Sequence, residues 1–143
     1  MFLDANILFS AAKSAGAIRR LLALLLDAGH DCWADAFVIT EARRNLELTA
    51  PSGFVVLDEL VEKLHAAPLR PPGPELEAGL PLPEKDRPVL AAAIRLGCRA
   101  LVTGDRTHFG ALYGRSIRGV TVHSPRSLAE ELWGLPKSTL RER

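Results

Sequence analysis

Short apolar runs alternating with helix-like stretches predict an α/β protein built on a parallel sheet of about five strands. Two observations carry this prediction. The runs Met1-Phe2-Leu3 and Ala100-Leu101-Val102-Thr103 are continuous and apolar, as in parallel strands buried on both faces. The intervening stretches show helical spacing and stop at glycines, notably Gly29 and Gly97.

The elements follow in order. Phe2-Leu3 ends a short buried strand, and Asp4 and Asn6 favour a turn or a helix cap. Ile18 to Ala28 is an apolar helix, and His30 to Ala34 a second strand. Asp35 can cap a helix from Ala36 to about Leu48, which Pro51-Ser52-Gly53 breaks. Phe54 to Ala66 is helical, with Val56, Leu57, Leu60, Val61 and Leu64 on one stripe. Pro68-Leu69-Arg70 is the expected third strand. Pro71 to Pro83, rich in proline and glycine, is the least structured stretch, with room for one helical turn at Glu75 to Ala78. Arg87 to Leu96 is a helix, Ala100 to Thr103 the fourth strand, and Thr107 to Tyr113 a short helix. Val120 to His123 is the fifth strand. Ser124-Pro125 opens a last helix, Arg126 to Trp133. Residues 1–134 are expected to form one domain, and 135–143 a flexible tail.

Composition narrows the class. The chain has 143 residues, 48% of them hydrophobic, enough for one domain with a full core. The net charge of +1 is too small to argue for nucleic acid or membrane. Cys32 and Cys98 lack metal-site or disulfide spacing and are expected to be buried, reduced thiols of a cytoplasmic protein. No leader is expected, and the longest apolar run, Leu21 to Leu26, is too short to span a membrane.

Four carboxylates stand out: Asp4, Glu41, Asp86 and Asp105. Asp4 and Asp105 follow strands, and ligands on parallel sheets bind beyond the carboxyl ends of strands. If those strands are neighbours, both carboxylates enter one crevice. Glu41 is expected beside the apolar stripe of its helix, facing the sheet, with Arg43 or Arg44 as a possible partner. Asp86 opens the next long helix and could reach the same place. Several carboxylates cannot stay ionised side by side without a cation, so such a cluster implies a hard divalent metal. Singly, each has a plainer explanation: Asp4 and Asp86 as helix caps, Asp105 as a turn residue.

Four motifs, in this order and spacing, resemble a PIN domain, the nuclease domain of VapC-like toxins and of many RNA-processing proteins. They are Phe2-Leu3-Asp4-Ala5-Asn6, Glu41 in its helix, Glu84-Lys85-Asp86 with the following helix, and Leu101-Val102-Thr103-Gly104-Asp105. Arg106-Thr107-His108-Phe109-Gly110, with Gly119 to Pro125, is similar to a subgroup regarded as toxin components. The resemblance implies a three-layer α/β/α sandwich with a central parallel sheet. It implies Mg²⁺ or Mn²⁺ held by Asp4, Glu41, Asp86 and Asp105, and hydrolysis of RNA by a metal-activated water. Thr103 would hydrogen-bond within the site, and Asn6 would support Asp4 or touch substrate. Both are candidate substrate contacts, and Glu84 is a weaker acidic candidate. It also implies an antitoxin partner for a toxin, and the apolar helices suit a homodimer.

Other chemistries fit less well. The histidines lack zinc-ligand spacing, and His108 reads as structural. Arg19-Arg20 reads as a solvated helix face. No serine stands in a hydrolase elbow, and no Walker or dinucleotide loop occurs. A dehalogenase-like phosphatase needs a second acid two residues after Asp4, where this chain has Asn6. The remaining alternative is a catalytically silent RNA- or protein-binding module.

Overall fold

A computed structural model describes residues 1–69 and 75–134. Its centre is a six-stranded sheet in the order β3-β2-β1-β4-β6-β5. β1 (Phe2–Leu3) pairs in parallel with β2 (Trp33–Asp35) on one side and β4 (Ala100–Val102) on the other. β3 (His65–Ala67) extends the sheet beyond β2, and β6 (Val120–His123) beyond β4, both in parallel. β5 (Ser116–Ile117) closes the far edge as an antiparallel hairpin with β6.

Among the described residues seven α-helices accompany the sheet. They are α1 (Ala5–Lys13), α2 (Ala17–Asp27), α3 (Ala36–Thr49), α4 (Phe54–Lys63), α5 (Arg87–Arg95), α6 (Arg106–Phe109) and α7 (Pro125–Trp133). The chain steps outward through β1, β2 and β3, then jumps back to β4. Crossovers of this kind are right-handed, so α1 to α4 cover one face and α5 the other. The result is the expected α/β/α layering. No helix among the described residues is long and apolar enough to cross a membrane.

Local sequence accounts for most boundaries. Asp35 accepts a hydrogen bond from Val38 N at 3.1 Å and so starts α3. Ser124 and Ser127 form a reciprocal capping box at α7. Leu21, Leu22 and Leu25 of α2 and Val38, Ala42 and Leu46 of α3 are buried. They join Phe2, Leu3, Leu101 and Val102 in one core.

Four expectations need correction. The third strand is His65–Ala67, ahead of the expected one, of which Pro68 and Leu69 are in no strand, and α4 stops at Lys63. His65 and Ala66 have little strand preference of their own. Pairing with β2 makes the strand, and the His65 ring stacks on Trp33 with centroids 4.8 Å apart. β5 had no signal in side-chain pattern; its turn, Arg118 (φ 49°) and Gly119 (φ 86°), has two positive φ values, as tight hairpins require. α1 is a full helix beyond its cap, burying Ile7, Leu8, Ala11 and Ala12. Residues 75–78 form no helix. Instead Leu80 and Leu82 are buried, and Arg87 donates to the carbonyls of Glu77 and Leu80, each at 3.2 Å. Residues 70–74 and the expected tail, 135–143, lie outside the described residues.

Candidate metal centre

β1 and β4 are neighbours, with Leu3 level with Val102. Strand order reverses there, and a crevice opens beyond their carboxyl ends, where parallel sheets bind ligands. Its lining includes Asp4, Glu41, Asp86 and Asp105. All four acids singled out in the sequence therefore meet in one place.

Asp4 is the most constrained. It is buried, and its carboxylate accepts from Ala5 N at 2.7 Å, Thr103 Oγ1 at 2.8 Å and Asn6 Nδ2 at 3.1 Å. Burial pushes its pKa up to about 6; the Thr103 and Ala5 hydrogen bonds oppose the rise, and the charges of Glu41 and Asp86 add to it. Without a cation, the site therefore resists carrying its full negative charge.

Asn6 ties the two strand ends together. Its Oδ1 accepts from Gly104 N at 2.7 Å, and its Nδ2 donates to Asp4 Oδ2 and, at 3.2 Å, to Thr103 Oγ1. A Cβ at residue 104 would lie 3.3 Å from Asn6 Oδ1, so glycine permits this close approach. Asn6 remains partly exposed and lines the crevice. Thr103 is fully buried, which leaves it no surface to offer a substrate. Its hydroxyl donates to Asp4 and accepts from Asp105 N at 3.2 Å.

The opposite wall is Asp86, Asp105 and His108. One ligand atom from each lies within 4.8 Å of the others. His108 Nδ1 is 2.8 Å from Asp105 Oδ2 and 3.1 Å from Asp86 Oδ2. Neither approach has hydrogen-bond geometry: His108 Nδ1 and Asp86 Oδ2 are both buried without a hydrogen-bond partner among the described residues. Burial raises the Asp86 pKa; the nearby His108 and Lys85 oppose this, and Asp105 adds to it. Asp105 also caps α6 by accepting from His108 N at 3.1 Å, so its turn role and its place in the cluster coexist. Asp86 makes no side-chain cap bond to α5.

The structure alters several readings. Glu41 is exposed at the crevice rim rather than turned to the sheet, because Val38, Ala42 and Leu46 take the buried stripe. Arg43 pairs with Asp58 at 2.7 Å instead. Glu84 is 97% exposed and does not line the crevice. Arg19 is not merely solvated, because its side chain donates to the carbonyls of Ala11 and Ala12 at the end of α1. His108, read as structural, stands inside the acidic cluster. Its signal was available, three residues after Asp105 on one helical turn. Asn45, four residues after Glu41, and Lys85 also line the crevice.

The donor set fits a hard divalent cation. It is dominated by carboxylate oxygen, and two of its buried polar atoms are unpartnered.

Comparison with known proteins supports the architecture. No protein-family model matches the sequence, and no curated protein does. A chain of VapBC2 from Rickettsia felis, solved bound to a DNA fragment from their promoter, matches with a TM-score of 0.58 at 16% identity. The match covers 86% of this chain and 96% of that one. The chain has a PIN-like fold. At this identity the likeness concerns the PIN-like backbone alone.

Proposed function

We propose that the protein is a divalent-metal-dependent endoribonuclease that hydrolyses RNA phosphodiester bonds. The observation that carries this reading is the convergence of Asp4, Glu41, Asp86 and Asp105 on one crevice at the strand-order reversal. Mg²⁺ or Mn²⁺ would be held by these four carboxylates, with His108 alongside. The bound ion would lower the pKa of water and offset charge on the leaving oxygen. Thr103 and Asn6 fix the Asp4 carboxylate, and Asn6 also faces incoming RNA. No side chain acts as a covalent nucleophile.

A narrower version is the toxin of a toxin–antitoxin pair, acting in the cytoplasm as a homodimer with an antitoxin protein as partner; the likeness to VapBC2 bears on the toxin–antitoxin part alone. The exposed apolar side chains Leu24, Leu48 and Val55 are available for such contacts. A second reading has one observation in its favour. His108 Nδ1 stands 2.8 Å from Asp105 and 3.1 Å from Asp86, between carboxylates that a metal would otherwise bridge, as suits a catalytically silent RNA- or protein-binding module.

The deciding experiment is cleavage of a mixed RNA pool with Mn²⁺, Mg²⁺ or chelator, beside Asp4→Asn and Asp105→Asn. Metal-dependent cutting lost in both variants is expected. Cutting that survives chelator, or that Asp4→Asn retains in full, would sink the mechanism. No cutting, together with no Mn²⁺ binding by calorimetry, would favour the silent module.

A further inference from the structure

The Gly104–Asp105–Arg106 turn stands between two cavities. Asp105 lines the acidic crevice, Arg106 lines a second cavity of about 420 Å³, and Gly104 lines both. Ile18 and Leu21 of α2 give the second cavity an apolar wall. The ring of Tyr113 lines it too, held in place as its hydroxyl donates to the Thr103 carbonyl at 2.8 Å. Arg126 and Glu130 of α7 supply the remaining charge. Glu130 Oε1 is buried and has no hydrogen-bond partner among the described residues. Neither Arg106 nor Arg126 is in an ion pair among the described residues.

We propose that this cavity is a base-selecting subsite for guanine, with Glu130 as its specificity-determining residue. The proposal rests on the ribonuclease reading and names the base next to the scissile phosphate. An ionised carboxylate only accepts hydrogen bonds, whereas guanidinium groups only donate. Guanine is the base that meets both demands. Its N1–H and N2–H₂ stand side by side for a carboxylate, and its O6 and N7 face away as acceptors suited to arginine. Adenine and cytosine offer one amino group, and uracil one ring N–H. The apolar wall and the Tyr113 ring suit the flat faces of a base. The volume falls in the range of about 300–1,000 Å³ usual for small-ligand sites. Asp105 and Arg106 are consecutive, so a phosphate at the acids and a base in this cavity belong to one nucleotide or to neighbours.

The test is an NMR titration of the full chain with GMP, AMP, CMP and UMP, without divalent metal. It is repeated on Asp4→Asn, Glu130→Gln and Arg126→Ala, each first checked by thermal melting. GMP is expected to bind roughly tenfold more tightly than the others, with shifts at Tyr113 and Glu130. Glu130→Gln should abolish the preference, Arg126→Ala should weaken GMP binding, and Asp4→Asn should leave the preference intact. Equal binding of all four nucleotides, no binding of any, or a preference unchanged in Glu130→Gln overturns the proposal. If GMP is preferred but RNA is never cut, the nuclease reading falls and the subsite stands. If RNA is cut with metal and no guanine preference exists, the subsite falls alone.

Discussion

Ionising Asp4 in the metal-free protein works against folding. Its folded pKa, about 6, lies above the ordinary 3.8, so between those values the folded chain binds more protons than the unfolded one. Stability therefore falls as pH rises through this window, by up to about 3 kcal/mol for this group. Asp4→Asn, which keeps the side-chain acceptor for Ala5 N, removes that slope. Urea melts with chelator at pH 4 and pH 7 measure it, and a stability difference between the two proteins that does not change with pH refutes this account. Asn6 makes a second prediction at this scale. Asn6→Ala deprives Gly104 N of its acceptor and removes both donors aimed at Asp4 and Thr103. A loss of about 1–2 kcal/mol is expected in a urea melt, together with reduced cleavage. If Asn6 serves only to touch RNA, stability will not move.

Among the elements, α1 does the most positioning. Capped by Asp4, it packs against α2, α3 and α4 and carries Asn6 in its first turn. Gly53, just before α4, presses against its end: a Cβ there would lie 2.9 Å from the Ala12 carbonyl oxygen and 2.9 Å from Leu46 Cδ2. Backbone cannot yield as a flexible side chain can. Gly53→Ala should cost about 1–3 kcal/mol by overpacking, although the backbone angles at Gly53 suit alanine. Denaturant unfolding checks this, and a neutral or stabilising result would mean that α4 slides freely over α1. α3 performs a different task. Its buried stripe of Val38, Ala42 and Leu46 leaves Phe37, Glu41 and Asn45 on the crevice flank, one helical turn apart.

For the molecule as a whole, the acidic crevice joins parts of the chain that only folding brings together. A cation bound there favours the folded state by mass action, about 2.7 kcal/mol at a hundredfold excess over Kd. Mn²⁺ should therefore raise the melting temperature by several degrees at pH 7.5. The gain should shrink at pH 5, where protons compete for Asp4. Asp86→Asn and Asp105→Asn should each lose most of the gain. A rise equal in the wild type and both variants would place the binding elsewhere.

The sequence alone determined the alternation of strands and helices, the buried β1 and β4, and the four acids. These are local matters: apolar runs, caps such as Asp35 and Ser124, and chemistry-bearing residues at element ends. It could not determine β3, because His65–Ala67 becomes a strand only through its hydrogen bonds to β2. The orientation of Glu41 and the place of His108 beside two carboxylates were likewise decided by packing. Which face of α3 is buried depends on the neighbours it meets. Whether Asp86 and Asp105 flank one imidazole depends on the jump from β3 back to β4. Tertiary structure alone sets such distances, since pairing and packing join residues that the chain keeps far apart.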